Sequence, residues 1–273
     1  MKRMILAGVL ALSVSVTGLM AQKKGPAPKS QKELEALQAM FNAPNSDERI
    51  KAAESLLNKF ADTEFKSTAT YLLAASYDEK GDWEKTVFWA ERTVQEDPKN
   101  FQSYLILATG IPKHSKEHDL DLEEKLARSE KYAKAALDVL ATAEKPNPQL
   151  TDEQWSNAKK DMAAQAHEAY GIGAMLRKKY DVAITEFKQA TENVPDVDPT
   201  TEIRLAQVYN LAGKPDDAIS VLDKVNARPD LPIQLKQYAQ AERVRAIQAK
   251  GGAKPPAATP PAATPAPAAP PKQ

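Results

Sequence analysis

The residues best placed to do chemistry are His114-Ser115-Lys116-Glu117-His118. An H-x-x-E-H pattern on a helix sets two imidazoles one turn apart on a zinc ion, and the glutamate activates the metal-bound water. That would be a metal-dependent peptidase. The surroundings argue against it, because the motif comes just after Pro112 in what reads as an inserted connection rather than a rigid helix. The plainer reading is a solvated polar insertion. With Asp119, Asp121 and Glu123 following, it could also be a loop that meets a partner.

Similarity to the inverted zinc peptidases ends at those five residues, since none of the mixed α/β pattern of such enzymes surrounds them. Other chemical signals fade in the same way. Gly171-Ile172-Gly173 falls inside a helical stretch with no strand before it and no third glycine, so it is not a phosphate loop. His167 stands alone on its helix, and Arg177-Lys178-Lys179 read as solvated charges at a helix end. The chain has no cysteine and no G-x-S-x-G. The expectation is a protein that is not an enzyme and holds no cofactor or metal.

The ends differ from the middle. Residues 1–21 place Lys2 and Arg3 before a long apolar run that finishes near Ala21, the layout of a cleaved secretory signal. Left uncut, the run is long enough to anchor the chain in a membrane. The expected location is therefore exported, periplasmic or in the cell envelope, with membrane contact only through an uncleaved signal. An exported chain without cysteine is held by packing alone. Without Lys2 and Arg3, acidic residues exceed basic ones by two, so nucleic acid is not an expected partner. Residues 22–29 form a short linker, and 250–273 are almost wholly Pro, Ala, Gly and Thr, which reads as a disordered, extended tail.

Between these ends, residues 30–249 are rich in Ala, Leu, Glu, Lys and Gln, with apolar residues at spacings of three and four. Helix starts are marked by Ser30 with Glu33, by Thr151 with Gln154, and by Asp198-Pro199. Residues 67–100 superpose without a gap on 164–197. Leu73 meets Tyr170, Ala74 meets Gly171, Trp83 meets Tyr180, Thr86 meets Ala183, Thr93 meets Ala190 and Pro98 meets Pro195.

This spacing resembles the tetratricopeptide repeat (TPR), a helix-turn-helix unit of about 34 residues. Gly171, Tyr180, Ala183, Phe187, Ala190 and Pro195 fall in the family's slots. Further copies are read at about 33–66, at 101–143 with an insertion, and at 199–232, followed by a capping helix at 233–249. The resemblance implies an all-α, right-handed α-solenoid of tetratricopeptide-like helical hairpins with a C-terminal capping helix. Trp83 then takes an aromatic slot between the helices of its own repeat, and Phe88 and Trp89 flank that seam.

Such arrays bind a peptide or a partner helix on the concave face made by the first helices. Counting outward positions selects Thr68, Tyr71 and Asp78, then Gln102 and Leu105, from the earlier copies. Glu168, Ile172 and Met175 follow, and then Ile203, Gln207 and Asn210. Arg204 joins them because, with Asn210, it comes nearest to the Lys, Arg and Asn residues with which some members of the resembled family clamp a C-terminal carboxylate. The face is mixed and nearly neutral, which suits hydrogen bonds and apolar contacts to a protein or peptide. The implied role is a noncatalytic scaffold or assembly factor of a bacterial envelope. The alternatives are a tether acting through the Pro/Ala tail and, more remotely, the zinc peptidase. Neither partner identity nor oligomeric state follows from these residues.

Overall fold

The computed structural model describes residues 25–192 and 194–251. The expected signal at 1–21, the start of the linker and the tail beyond 251 lie outside the described residues. The described residues are all-α, built from successive helical hairpins, with no strand among them. They comprise α1 (Gln31–Phe41), α2 (Ser46–Lys59), α3 (Lys66–Glu79), α4 (Trp83–Glu96), α5 (Phe101–Lys113), α6 (Leu122–Thr142), α7 (Asp152–Leu176), α8 (Tyr180–Thr191), α9 (Pro199–Leu211), α10 (Pro215–Asn226) and α11 (Ile233–Lys250).

The helices begin where side chains can satisfy their first N–H groups. Ser30 accepts from the Glu33 amide, Asn45 from that of Glu48, and Asp82 from that of Lys85. Thr151 and Gln154 make a reciprocal box, with bonds of 2.9 and 3.1 Å. At Ser30 the return bond goes elsewhere: Glu33 accepts from the Lys29 amide and, through its other oxygen, from the Thr63 hydroxyl.

Three hairpins close in one way. The amides of Asp82, Lys179 and Lys214 reach back to the carbonyls of Tyr77, Ala174 and Tyr209, a Schellman-type end that needs a left-handed residue just before. Gly81 and Gly213 supply it at φ 74° and 70°, and Lys178 does so at φ 58°.

The described residues pack into two compact units. The first holds the residues up to Gly110 together with Lys131–Ala166; its core joins Leu37, Met40, Leu56, Phe65, Leu73 and Tyr77. Trp89 packs against this core, whereas Phe88 is exposed. The ring of Trp83 lies over Gly110, where a Cβ would come within 2.2 Å of it. Its close neighbour is therefore in the following first helix, α5, beyond its own repeat.

The second unit holds Ile111–Glu130 together with the residues from His167 onward. One of its cores gathers Ile203, Ala218, Leu222 and Val225 with Ala239 and Ala246 of α11; another gathers Ala174, Ala183, Phe187, Leu205 and Val208. Phe187 lies against Gly171, whose missing Cβ would sit 3.1 Å from the ring.

Candidate partner-binding face

In the first unit, α3 holds Thr68 and Tyr71 half-buried and leaves Asp78 exposed. Burial pushes the Tyr71 phenol up, and the Glu79 carboxylate adds to the effect, so the group is a neutral donor and acceptor. On α5, Gln102 is half-buried, but Leu105 is buried and belongs to the packing. A shallow cleft of about 310 Å³ opens on this unit between Glu91, Tyr104, Lys131 and Tyr132. The Tyr132 hydroxyl donates to Glu91 at 2.8 Å, and its ring lies 6.1 Å from that of Tyr104. None of the residues selected from the sequence lines it.

In the second unit, the structure brings the selected residues of α7 and α9 together. Glu168 and Arg204 form an ion pair, with side chains 15% and 20% exposed. Ile172 and Met175 are half-buried beside the Phe187 core. Ile203, at 1% exposure, and Gln207, at 3%, do not face outward. Besides α7, which it meets through that ion pair, α9 packs against α8, α10 and α11, so most of its circumference is covered. Counting every third or fourth residue as outward overestimates the free sector. Leu105, Ile203 and Gln207 therefore leave the set that a partner can touch.

Asn210 is drawn into a polar cluster with α11. Its amide donates to the Glu242 carbonyl at 3.1 Å and to the Glu242 carboxylate at 3.2 Å. Glu242 is 1% exposed and is paired with Arg245, which is what a buried carboxylate requires. Tyr238 lies beside Glu242 without a well-aligned hydrogen bond to it, and burial, reinforced by that carboxylate, raises its phenol far above the usual range. Among the described residues, Gln207 Oε1 and Asn210 Oδ1 are buried acceptors without a donor. The sequence reading missed Tyr238, Glu242 and Arg245, because it took 233–249 only as a cap. Their spacings of four and three were the available sign that one face of that helix is polar and engaged.

Two further readings change. Arg177 is not a solvated charge: its side chain is 6% exposed and reaches Glu123 at 3.0 Å and Glu130 at 2.9 Å. Glu130 also accepts from the Tyr170 hydroxyl at 3.0 Å. His167 is not alone, since its Nδ1 lies 2.8 Å from Glu186.

His114 follows the end of α5, and His118 lies in the non-helical connection before α6, with both side chains exposed. The helical turn that an H-x-x-E-H site needs is not formed there. Asp119 organises the connection, accepting from the Lys116 amide at 3.1 Å and from Lys125 at 2.9 Å. The Lys125 hydrogen bond, helped by that amide, holds the Asp119 carboxyl below its usual range. Among the described residues, no group of three or more His, Asp or Glu side chains is placed to hold a metal ion. No described helix is long and apolar enough to cross a membrane.

No family model matches the chain, and no curated protein matches it. Among solved structures, a thermophilic TPR protein of Thermus thermophilus is similar, with 18% identity and a TM-score of 0.49. The likeness covers 78% of this chain and 99% of that one.

Proposed function

We propose that this chain is a noncatalytic protein-binding scaffold that takes a peptide or partner helix on its first helices. The observation that carries the reading is the face of α7, α9 and α11. There the Glu168–Arg204 and Glu242–Arg245 pairs cancel in charge, and Ile172 and Met175 stand beside them half-buried. A surface of this kind favours a ligand that brings apolar side chains and neutral polar groups, and it gives recognition with weak salt dependence. In the first unit, Thr68, Tyr71, Asp78 and Gln102 are the selected residues that remain accessible. Placement in a bacterial envelope rests on the basic-then-apolar start at residues 1–21.

The test is affinity capture from an envelope extract with residues 22–249, read by mass spectrometry, beside the variant Met175→Ala/Arg204→Ala. The expected result is one dominant protein, retained as salt is raised from low to physiological strength and lost at least tenfold by the variant. Capture that survives this variant and a second one, Tyr71→Ala/Asp78→Ala, would place binding elsewhere and overturn the reading.

A further inference from the structure

The cleft of about 310 Å³ on the first unit lies outside the face just described, because its walls come mainly from two second helices, α4 and α6. Glu91 and Val94 share one side of α4, while Lys131, Tyr132 and Ala135 share one side of α6. Tyr104 of α5 completes the lining, and all six residues belong to the first unit. A volume at the lower limit for ligand pockets suits one small molecule rather than a helix.

The lining has two charged ends. Glu91 is half-buried, and the Tyr132 hydroxyl donates to it at 2.8 Å, which fixes the direction of a carboxylate able to accept several hydrogen bonds at once. Lys131 is exposed and brings a positive charge from the α6 wall. The next charged residues of α4 do not compete, since Arg92 is paired with Glu96 and Glu96 also with Lys66. The rest of the wall is ring and hydrocarbon. The rings of Tyr104 and Tyr132 lie 6.1 Å apart, tilted by 33°, with Val94 and Ala135 half-buried. Such a lining complements a molecule with a flat cation at one end and a carboxylate at the other. A guanidinium fits the first end best, because it forks onto a carboxylate and stacks on a phenol, whereas an ammonium offers the charge without the plane.

We propose that this cleft binds a small guanidino acid, with free arginine as the type, its guanidinium on Glu91 and a tyrosine ring and its carboxylate at Lys131. The inference does not depend on the partner-binding reading, since none of the residues selected for that face lines the cleft.

The experiment is isothermal titration calorimetry of the whole chain with L-arginine, with agmatine, which lacks the carboxylate, and with citrulline, which lacks the cation. L-Arginine is expected to bind with a Kd of about 1 mM or tighter, and the other two about fivefold or more weakly. Glu91→Gln keeps an acceptor for the Tyr132 hydroxyl, and Lys131→Met keeps an exposed stem, so both retain the fold, which far-UV circular dichroism checks. Each should weaken L-arginine about tenfold by removing one charged contact. No binding of L-arginine at about 10 mM would overturn the proposal. So would agmatine or citrulline binding as tightly as L-arginine, or L-arginine binding unchanged in either variant. A preference of about tenfold for acetyl-Ala-Ala-Arg over L-arginine would overturn it too, by assigning the cleft to a peptide.

Discussion

The α3–α4 hairpin of the first unit and the α7–α8 hairpin of the second solve one packing problem with different side chains. Their sequences align without a gap, so Ala74 stands where Gly171 does and Ala90 where Phe187 does. In the second hairpin, Phe187 is fully buried against Gly171, and Ala183 and Ala190 keep the seam dry. In the first, the aligned positions are Thr86 and Thr93, both fully buried. Thr86 donates to the Asp82 carbonyl. The Thr93 hydroxyl lies 2.8 Å from the Trp89 carbonyl and 3.0 Å from Thr70 Oγ1. With one proton it can donate to only one of them at a time. The lesson is that the repeat conserves a close helix approach, not a chemistry: one seam fills it with a ring against a glycine, the other with small residues and hydroxyls that bond backward.

The largest expected effect comes from converting the second seam toward the first. Phe187→Ala should destabilise the protein by about 3–5 kcal/mol, because it deletes a buried ring and leaves a cavity. Gly171→Ala alone should also destabilise, by about 1–2 kcal/mol, since its Cβ would press on the ring at 3.1 Å. In the Phe187→Ala background the sign should reverse. With the ring gone, alanine gains its helix preference of ~1 kcal/mol over glycine. Urea unfolding followed by far-UV circular dichroism measures all four corners of the cycle. Additive effects would mean that the ring and the glycine do not share the space assigned to them.

That seam was legible in the sequence, because a glycine and an aromatic in register announce a close approach. Other parts were hidden for physical causes. Trp83 could be placed in a repeat slot, but its resting place over Gly110 of α5 depends on how α5 packs, which periodicity does not report. Ile203 and Gln207 read as outward because a lone helix exposes that face; α11 covers it. Arg177 read as a solvated end charge because its partners, Glu123 and Glu130, are about fifty residues away in sequence. Local pattern fixes helices and turns, whereas long-range partners decide which charges are structural.

A smaller effect should separate the hydroxyl seam from the dry one. Thr93→Val keeps the shape and removes the hydroxyl, leaving Thr70 bonded to the Ser67 carbonyl. The expected loss is about 1 kcal/mol, the net worth of one buried hydrogen bond. All three tryptophans lie in the first unit, so the shift is read in their fluorescence during urea unfolding. A gain in stability instead would mean that the hydroxyl is a burden there, and that the two seams differ by history rather than by need.

The smallest effect lies at the turns, where the two hairpins share a backbone but not a residue. Gly81 adopts its left-handed conformation freely, while Lys178 holds a similar one at φ 58° with a Cβ pressed toward its own carbonyl. Lys178→Gly removes that strain but gives the unfolded chain more freedom, and the two partly cancel. The strain is the larger of the two, so the variant should gain about 0.5–1 kcal/mol, seen as a rise of a few degrees in the melting temperature. The Lys178 side chain is exposed, so no lost contact offsets the gain. Gly81→Lys is the mirror experiment and should lose a similar amount. If Lys178→Gly is neutral or destabilising while Gly81→Lys is costly, the two turns are not equivalent, and the second hairpin has relaxed around its lysine in a way that φ alone does not reveal.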